Sequence, residues 1–274
     1  MRMERVYAEQ ARMAASKRFG MYKKEEKKKI RKADVKEDEA LELLKRAWKE
    51  CDLRSQQSAE KAEKVLKGLV FPAADVERFA IALSEFQEEE GFHDKAGYFL
   101  SHLINNGEGS DYVIFLRHLN EKIIGIGSRN TKNVIVDGDI LYGVGEKMKG
   151  GEIRIKGSSG DNVGSDMEGG RLIIEKDVEW GCDGVAGKMQ GGEIIVKGNV
   201  KGAVGNGMSG GRIILHGIVD LNDGAGHGSL DSDTIGSDMS GGEIHIMGDI
   251  LGEVDWNGII HGKIYHKGKL IVDK

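Results

Sequence analysis

Proline is almost missing from this chain: Pro72 is the one example in 274 residues. Cysteine is nearly as scarce. Cys51 and Cys182 are too few for a disulfide framework or a cysteine-rich metal site, and they read as reduced thiols. The sequence has no run of 18 apolar residues to span a membrane, and the opening MRMERVYAEQ holds no apolar stretch for a signal peptide. These absences predict a cytoplasmic protein with no membrane partner. A net charge of −5 also argues against nucleic acid as the partner of the whole chain.

Glycine is abundant and unevenly placed. Of 41 glycines, six lie in residues 1–110 and 35 in residues 111–274. Two compositions predict two architectures, an α+β multi-domain chain with its junction near Gly107–Asp111. The first part, 1–110, reads as helical. Val76, Phe79, Ala80, Leu83 and Phe86 form an apolar stripe at helical spacing, and Phe99, Leu100, Leu103 and Ile104 repeat the style. Residues 1–36 carry 13 Lys/Arg against 5 Asp/Glu, either a solvated extension or an arm for an anionic partner.

The second part, 111–274, is a repeat. MKGGEIRIKG from Met148 recurs as MEGGRLIIEK, MQGGEIIVKG, MSGGRIILHG and MSGGEIHIMG. The glycine pairs are Gly150–Gly151, Gly169–Gly170, Gly191–Gly192, Gly210–Gly211 and Gly241–Gly242, at spacings of 19, 22, 19 and 31. With degenerate copies at Asn133–Gly138 and Gly262–Gly268, about seven units result, an array that buries core by stacking neighbours. Each unit alternates apolar residues, as in Ile153/Ile155, so each holds a half-buried strand. A valine or isoleucine four residues before each Met marks a second short element. No segment between strands is long enough for a crossover helix. The pattern predicts a parallel β-helix, with glycine turning each corner and Met filling the space beneath it.

The residue after each glycine pair tests the register. Glu152, Arg171, Glu193, Arg212, Glu243 and Lys263 alternate strictly in sign. On coils roughly 4.8 Å apart, such neighbours attract in register and repel out of it.

The run GDIxxxVGxxMxGGEIxIxG, as in Gly138–Gly157 and Gly160–Ile174, resembles the glycine-repeat subunit of formylmethanofuran dehydrogenase. More distantly it resembles the carboxy-terminal glycine-rich (GXGXG) domain of the large subunit of glutamate synthase. Tyr112–Asn133 also looks like the lead-in of that dehydrogenase subunit, and the likeness spans about 111–274. It implies a right-handed parallel β-helix that is not itself catalytic and holds no cofactor. In the dehydrogenase the molybdenum or tungsten centre, the iron–sulfur clusters and the hydrolytic metal site belong to other subunits. The resemblance thus implies a structural subunit that binds protein partners or itself.

Some residues could carry chemistry of their own. The 31-residue spacing leaves an insertion within Ile218–Thr234, where Asp223, His227 and Asp231, with Asp220 and Asp233, are candidate metal ligands. Asp, Gly and Ser are equally the residues of an ordinary loop. Cys182 sits in a unit three residues longer than the standard one, a turn residue rather than a nucleophile, and His102 and His118 show no ligand spacing. Gly125-Ile-Gly127 opens no helix and is no dinucleotide site. Between the inward positions, the outward column reads Arg154, Ile173, Ile195, Ile214, His245 and Tyr265. Ile173, Ile195 and Ile214 would form an apolar stripe beside a polar column, which marks a contact surface. Two other readings stay open: a stand-alone enzyme using the insertion, and a binding protein acting through the basic arm.

Overall fold

The structure, a computed structural model, describes residues 39–51, 64–179, 184–222 and 234–274. The chain divides into two compact units, Met1–Lys45 and Arg46–Lys274. In the first, residues 39–45 are helical. The second is a parallel β-solenoid of about seven turns with a few helices.

Its main sheet stacks nine strands among the described residues. They are β1 (Asp111–Phe115), β3 (Asn133–Asp137), β5 (Glu152–Ile155), β6 (Arg171–Ile174), β7 (Glu193–Val196), β9 (Arg212–Leu215), β11 (Ser240–Ile246), β13 (His261–His266) and β14 (Lys269–Asp273). Neighbours pair in parallel as far as β13. A second face begins with β2 (Ile123–Ile124) and β4 (Ile140–Tyr142). It continues through bridges at Ser159 and Val178 to β8 (Val200–Lys201), β10 (Val219–Asp220) and β12 (Ile250–Leu251). Val163, Val185, Val204 and Ile235 bridge in turn and make a third.

Alternation explains the interior. Ile153, Leu172, Ile194, Ile213 and Ile244 stack as one fully buried column, and Ile155, Ile174, Val196, Leu215 and Ile246 as another. Met148, Met167, Met189, Met208 and Met239 form a third, also fully buried. The two glycines of each pair do different work. At Gly192, φ is 89° and an added Cβ would stand 2.7 Å from the Met167 methyl. Each methionine thus fills the notch left by the missing Cβ on the next coil. At Gly191, whose φ is ordinary, a Cβ would lie 2.6 Å from Glu168 O. Side chains also stitch coil to coil at another corner, where Asp177 Oδ1 accepts the Asn199 N–H at 2.7 Å and Asn199 Oδ1 accepts the Ile218 N–H at 2.9 Å.

Both ends of the stack are managed. Helix α1 (Ala73–Ala82) packs on β1, and α2 (Phe92–Asn106) packs on β2. Trp48 anchors them in an aromatic cluster, stacked on Phe86 at 5.3 Å and edge-on to Phe99 at 5.3 Å. Glycine at 97 lets α2 approach closely: a Cβ there would stand 1.9 Å from Ile124 O. One turn on, Ser101 Oγ donates to Gly97 O at 2.6 Å and accepts the Gly127 N–H at 2.8 Å. On the β1 side, Glu77 Oε1 accepts the Val113 N–H at 2.8 Å. At the far end β14 turns back antiparallel to β13 with a register shift between Ile264 and Tyr265. A bulged edge flanked by charged residues discourages further strand pairing.

Candidate interaction face

The outer surface of the main sheet carries three side-chain columns. In the first, Arg171 faces Glu193 and Glu193 faces Arg212, the register expected from the alternating signs. Arg171 Nε lies 2.9 Å from Glu193 and its Nη1 3.5 Å from Glu152, while Arg212 reaches Glu243 at 3.8 Å. In the third column, Lys156, Glu175, Lys197 and His216, Glu175 takes Lys197 of its own column at 2.6 Å and Arg154 of the middle column at 2.7 Å. These contacts hold the Glu175 carboxyl below the usual carboxylate range, the Lys197 hydrogen bond first, with Arg154 adding to it and burial opposing. The hydrogen bond from His245 does the same to Glu243. Glu175 and Glu243 are therefore anions at neutral pH, each beside a cationic partner.

Between the ladders runs the middle column. Arg154, Ile173, Ile195, Ile214, His245 and Tyr265 follow one another rung by rung. Ile173 is 2% exposed and Ile195 8%, and Ile214 is half-buried. In the same column Ile135 is 36% exposed. The column ends in a stacked pair, His245 on Tyr265, with ring centroids 4.4 Å apart.

Of the residues that the sequence marks as candidates, Asp223, His227, Asp231, Asp233 and Cys182 lie outside the described residues, as does the basic arm 1–36. Asp220 is in β10, and its Oδ1 accepts the Asn222 N–H at 3.0 Å. His102 is spent on Asn106 at 2.8 Å and His118 on Ile81 O at 2.9 Å. Among the described residues no group of three or more His, Cys, Asp or Glu side chains is placed to hold a metal ion. No described helix is long and apolar enough to cross a membrane.

Periodicity did not reveal how the first coil closes. Asn130 occupies the methionine position there, and Thr131-Lys132 replaces the glycine pair. Its Nδ2 donates to Lys132 O at 2.6 Å and to Gly150 O at 3.2 Å, closing that corner with an amide instead of a methyl. The signal was present, a polar residue in an apolar column. Comparison with family models, with curated proteins and with solved structures gives no match.

Proposed function

We propose that this chain is a non-catalytic structural subunit, an assembly module of the kind that the glycine-repeat subunit of formylmethanofuran dehydrogenase and the glycine-rich domain of glutamate synthase represent. In this reading a right-handed β-helix, the hand that connections between parallel strands favour, follows a helical domain over 1–110. The chain works in the cytoplasm by binding protein subunits or a second copy of itself.

The observation that carries the proposal is the pairing of the outer charges, Arg171 with Glu152 and Glu193, Arg212 with Glu243, and Glu175 with Arg154 and Lys197. Hydrolysing a glycosidic bond takes a carboxyl that donates a proton as general acid, which a raised pKa favours. Here Glu175 and Glu243 are pushed the other way by hydrogen bonds from cationic and imidazole side chains. The middle column is closed over Ile173 and Ile195, 2% and 8% exposed, half-open at Ile214 and open at Ile135, 36% exposed, so it keeps an apolar line toward its amino-terminal end. A self-neutralised face with an apolar line suits contact with protein better than turnover of a charged substrate.

Affinity purification from the native host tests this. The expected result is a stoichiometric larger subunit, with molybdenum or tungsten and iron found by metal analysis in the co-purified material. A chain that elutes alone with hydrolase or lyase activity of its own would overturn the proposal.

A further inference from the structure

From Glu152 to Lys263 the first outer column alternates in sign at every rung, and at the amino-terminal end the alternation fails. Asp111 faces Asn133, and the pairing of Val134 with Ile153 sets Asn133 beside Glu152. Two carboxylates therefore flank a neutral amide where the pattern calls for a cation. Asn133 bridges the gap as far as an amide can: Nδ2 donates to Asp111 Oδ1 at 3.0 Å and Oδ1 accepts the Glu152 N–H at 3.2 Å. Asp111 has Ser110 Oγ as its other described partner, again neutral. Glu152 is engaged on its far side by Arg154 at 3.1 Å and Arg171 at 3.5 Å.

A cleft of about 410 Å³ opens over this incomplete rung. Its rim is Asp111, Asn133 and Glu152, and its floor holds Val113 and Ile135. The 36% exposure of Ile135 makes this the open part of the middle column, in contrast to Ile173 and Ile195. Phe115, 46% exposed, extends the apolar floor along β1.

We propose that the cleft is a docking groove for an extended segment of a partner protein that carries an arginine or lysine between apolar residues. The cation takes the missing rung between Asp111 and Glu152, and its apolar neighbours cover Val113, Ile135 and Phe115. Arginine suits the position best, because a planar guanidinium can donate to two separated carboxylates at once. Apolar contact supplies most of the affinity and the carboxylates select the charge. The proposal rests on the assembly reading only in taking its occupant to be a protein segment.

The test is calorimetric titration of the full chain with three probes: acetyl-Leu-Arg-Val-amide, acetyl-Leu-Glu-Val-amide and free arginine. The arginine peptide should bind about tenfold tighter than the glutamate peptide and than free arginine. Asn133→Lys supplies the cation from within the chain. It should keep or raise the melting temperature while weakening the arginine peptide about tenfold. Equal affinity for the two peptides, no binding of either, equal binding of free arginine, or an Asn133→Lys variant that binds unchanged would each overturn the proposal. Should that variant not fold, Asp111→Asn decides, since it must weaken the arginine peptide and narrow its advantage over the glutamate peptide. A failed titration beside a positive co-purification rejects the groove alone and leaves the assembly reading standing.

Discussion

At the scale of single residues, the methionine and the glycine it faces act as one unit. Gly192→Ala places a Cβ 2.7 Å from the Met167 methyl and 2.6 Å from Gly170 O, at a φ of 89°. Overpacking of that kind should cost about 2–3 kcal/mol. Met167→Ala opens a cavity and should cost about 2–4 kcal/mol. Because Met167→Ala also removes one of the clashing atoms, the double variant should lose less than the sum, and thermal melts of the four proteins measure that coupling. The ion-pair ladders predict a pH dependence with a definite sign. The folded pKa of Glu175 is depressed, so its pairing adds stability above the unfolded value of ~4.3 and that stability is lost as pH falls through the folded value. Melting temperature should therefore drop between about pH 5 and pH 3, and the drop should be shallower in Glu175→Gln. At neutral pH the same variant should lose only ~0.5 kcal/mol, since the group is partly solvated.

At the scale of elements, what was legible is what repeats. Alternating isoleucines and alternating signs set the pairing of Arg171, Glu193 and Arg212 to the residue, because each coil constrains the next by the same two-residue period. Contacts made once were not legible in that way. Nothing in the periodicity announces that Asn130 closes the first corner or that Ser101 sits on Gly127 N. A contact that one coil alone makes leaves no period, whereas Asp139, Asp177 and Asn199, which each accept a backbone N–H of the next coil, recur at one position of the repeat. These positions make their own predictions. Asn130→Ala leaves two part-buried carbonyls without that amide and should cost about 2 kcal/mol, measurable by denaturant unfolding. Gly97→Ala should unseat α2, because its Cβ would stand 1.9 Å from Ile124 O. A chain beginning at Asp111 then exposes the edge of β1 and should aggregate, and a monomeric truncation of equal stability would show that α1 and α2 are no cap.

At the scale of the whole molecule, the outer face separates what a sequence tells from what it does not. Periodicity placed Ile173, Ile195 and Ile214 in one outward column, yet exposure along that column runs from 36% at Ile135 to 2% at Ile173. Burial of an outward residue depends on what lies over the sheet, and no local pattern encodes that. Ile195→Asp puts a charge where 8% of the residue meets solvent, so it should lower the melting temperature sharply, and light scattering will show whether mass changes with it. The methionine column has a different consequence, in redox chemistry. Five thioethers stand in file through the stack, each fully buried with its methyl seated against a glycine of the following coil. A sulfoxide oxygen added to any of them is both too polar and too large for that seat. Met247, 49% exposed, should oxidise readily under mild peroxide while Met148, Met167, Met189, Met208 and Met239 stay reduced. Peroxide applied during refolding should instead modify those five and leave coils that never close. The same residues that fill the solenoid therefore record, by mass, whether it was ever open.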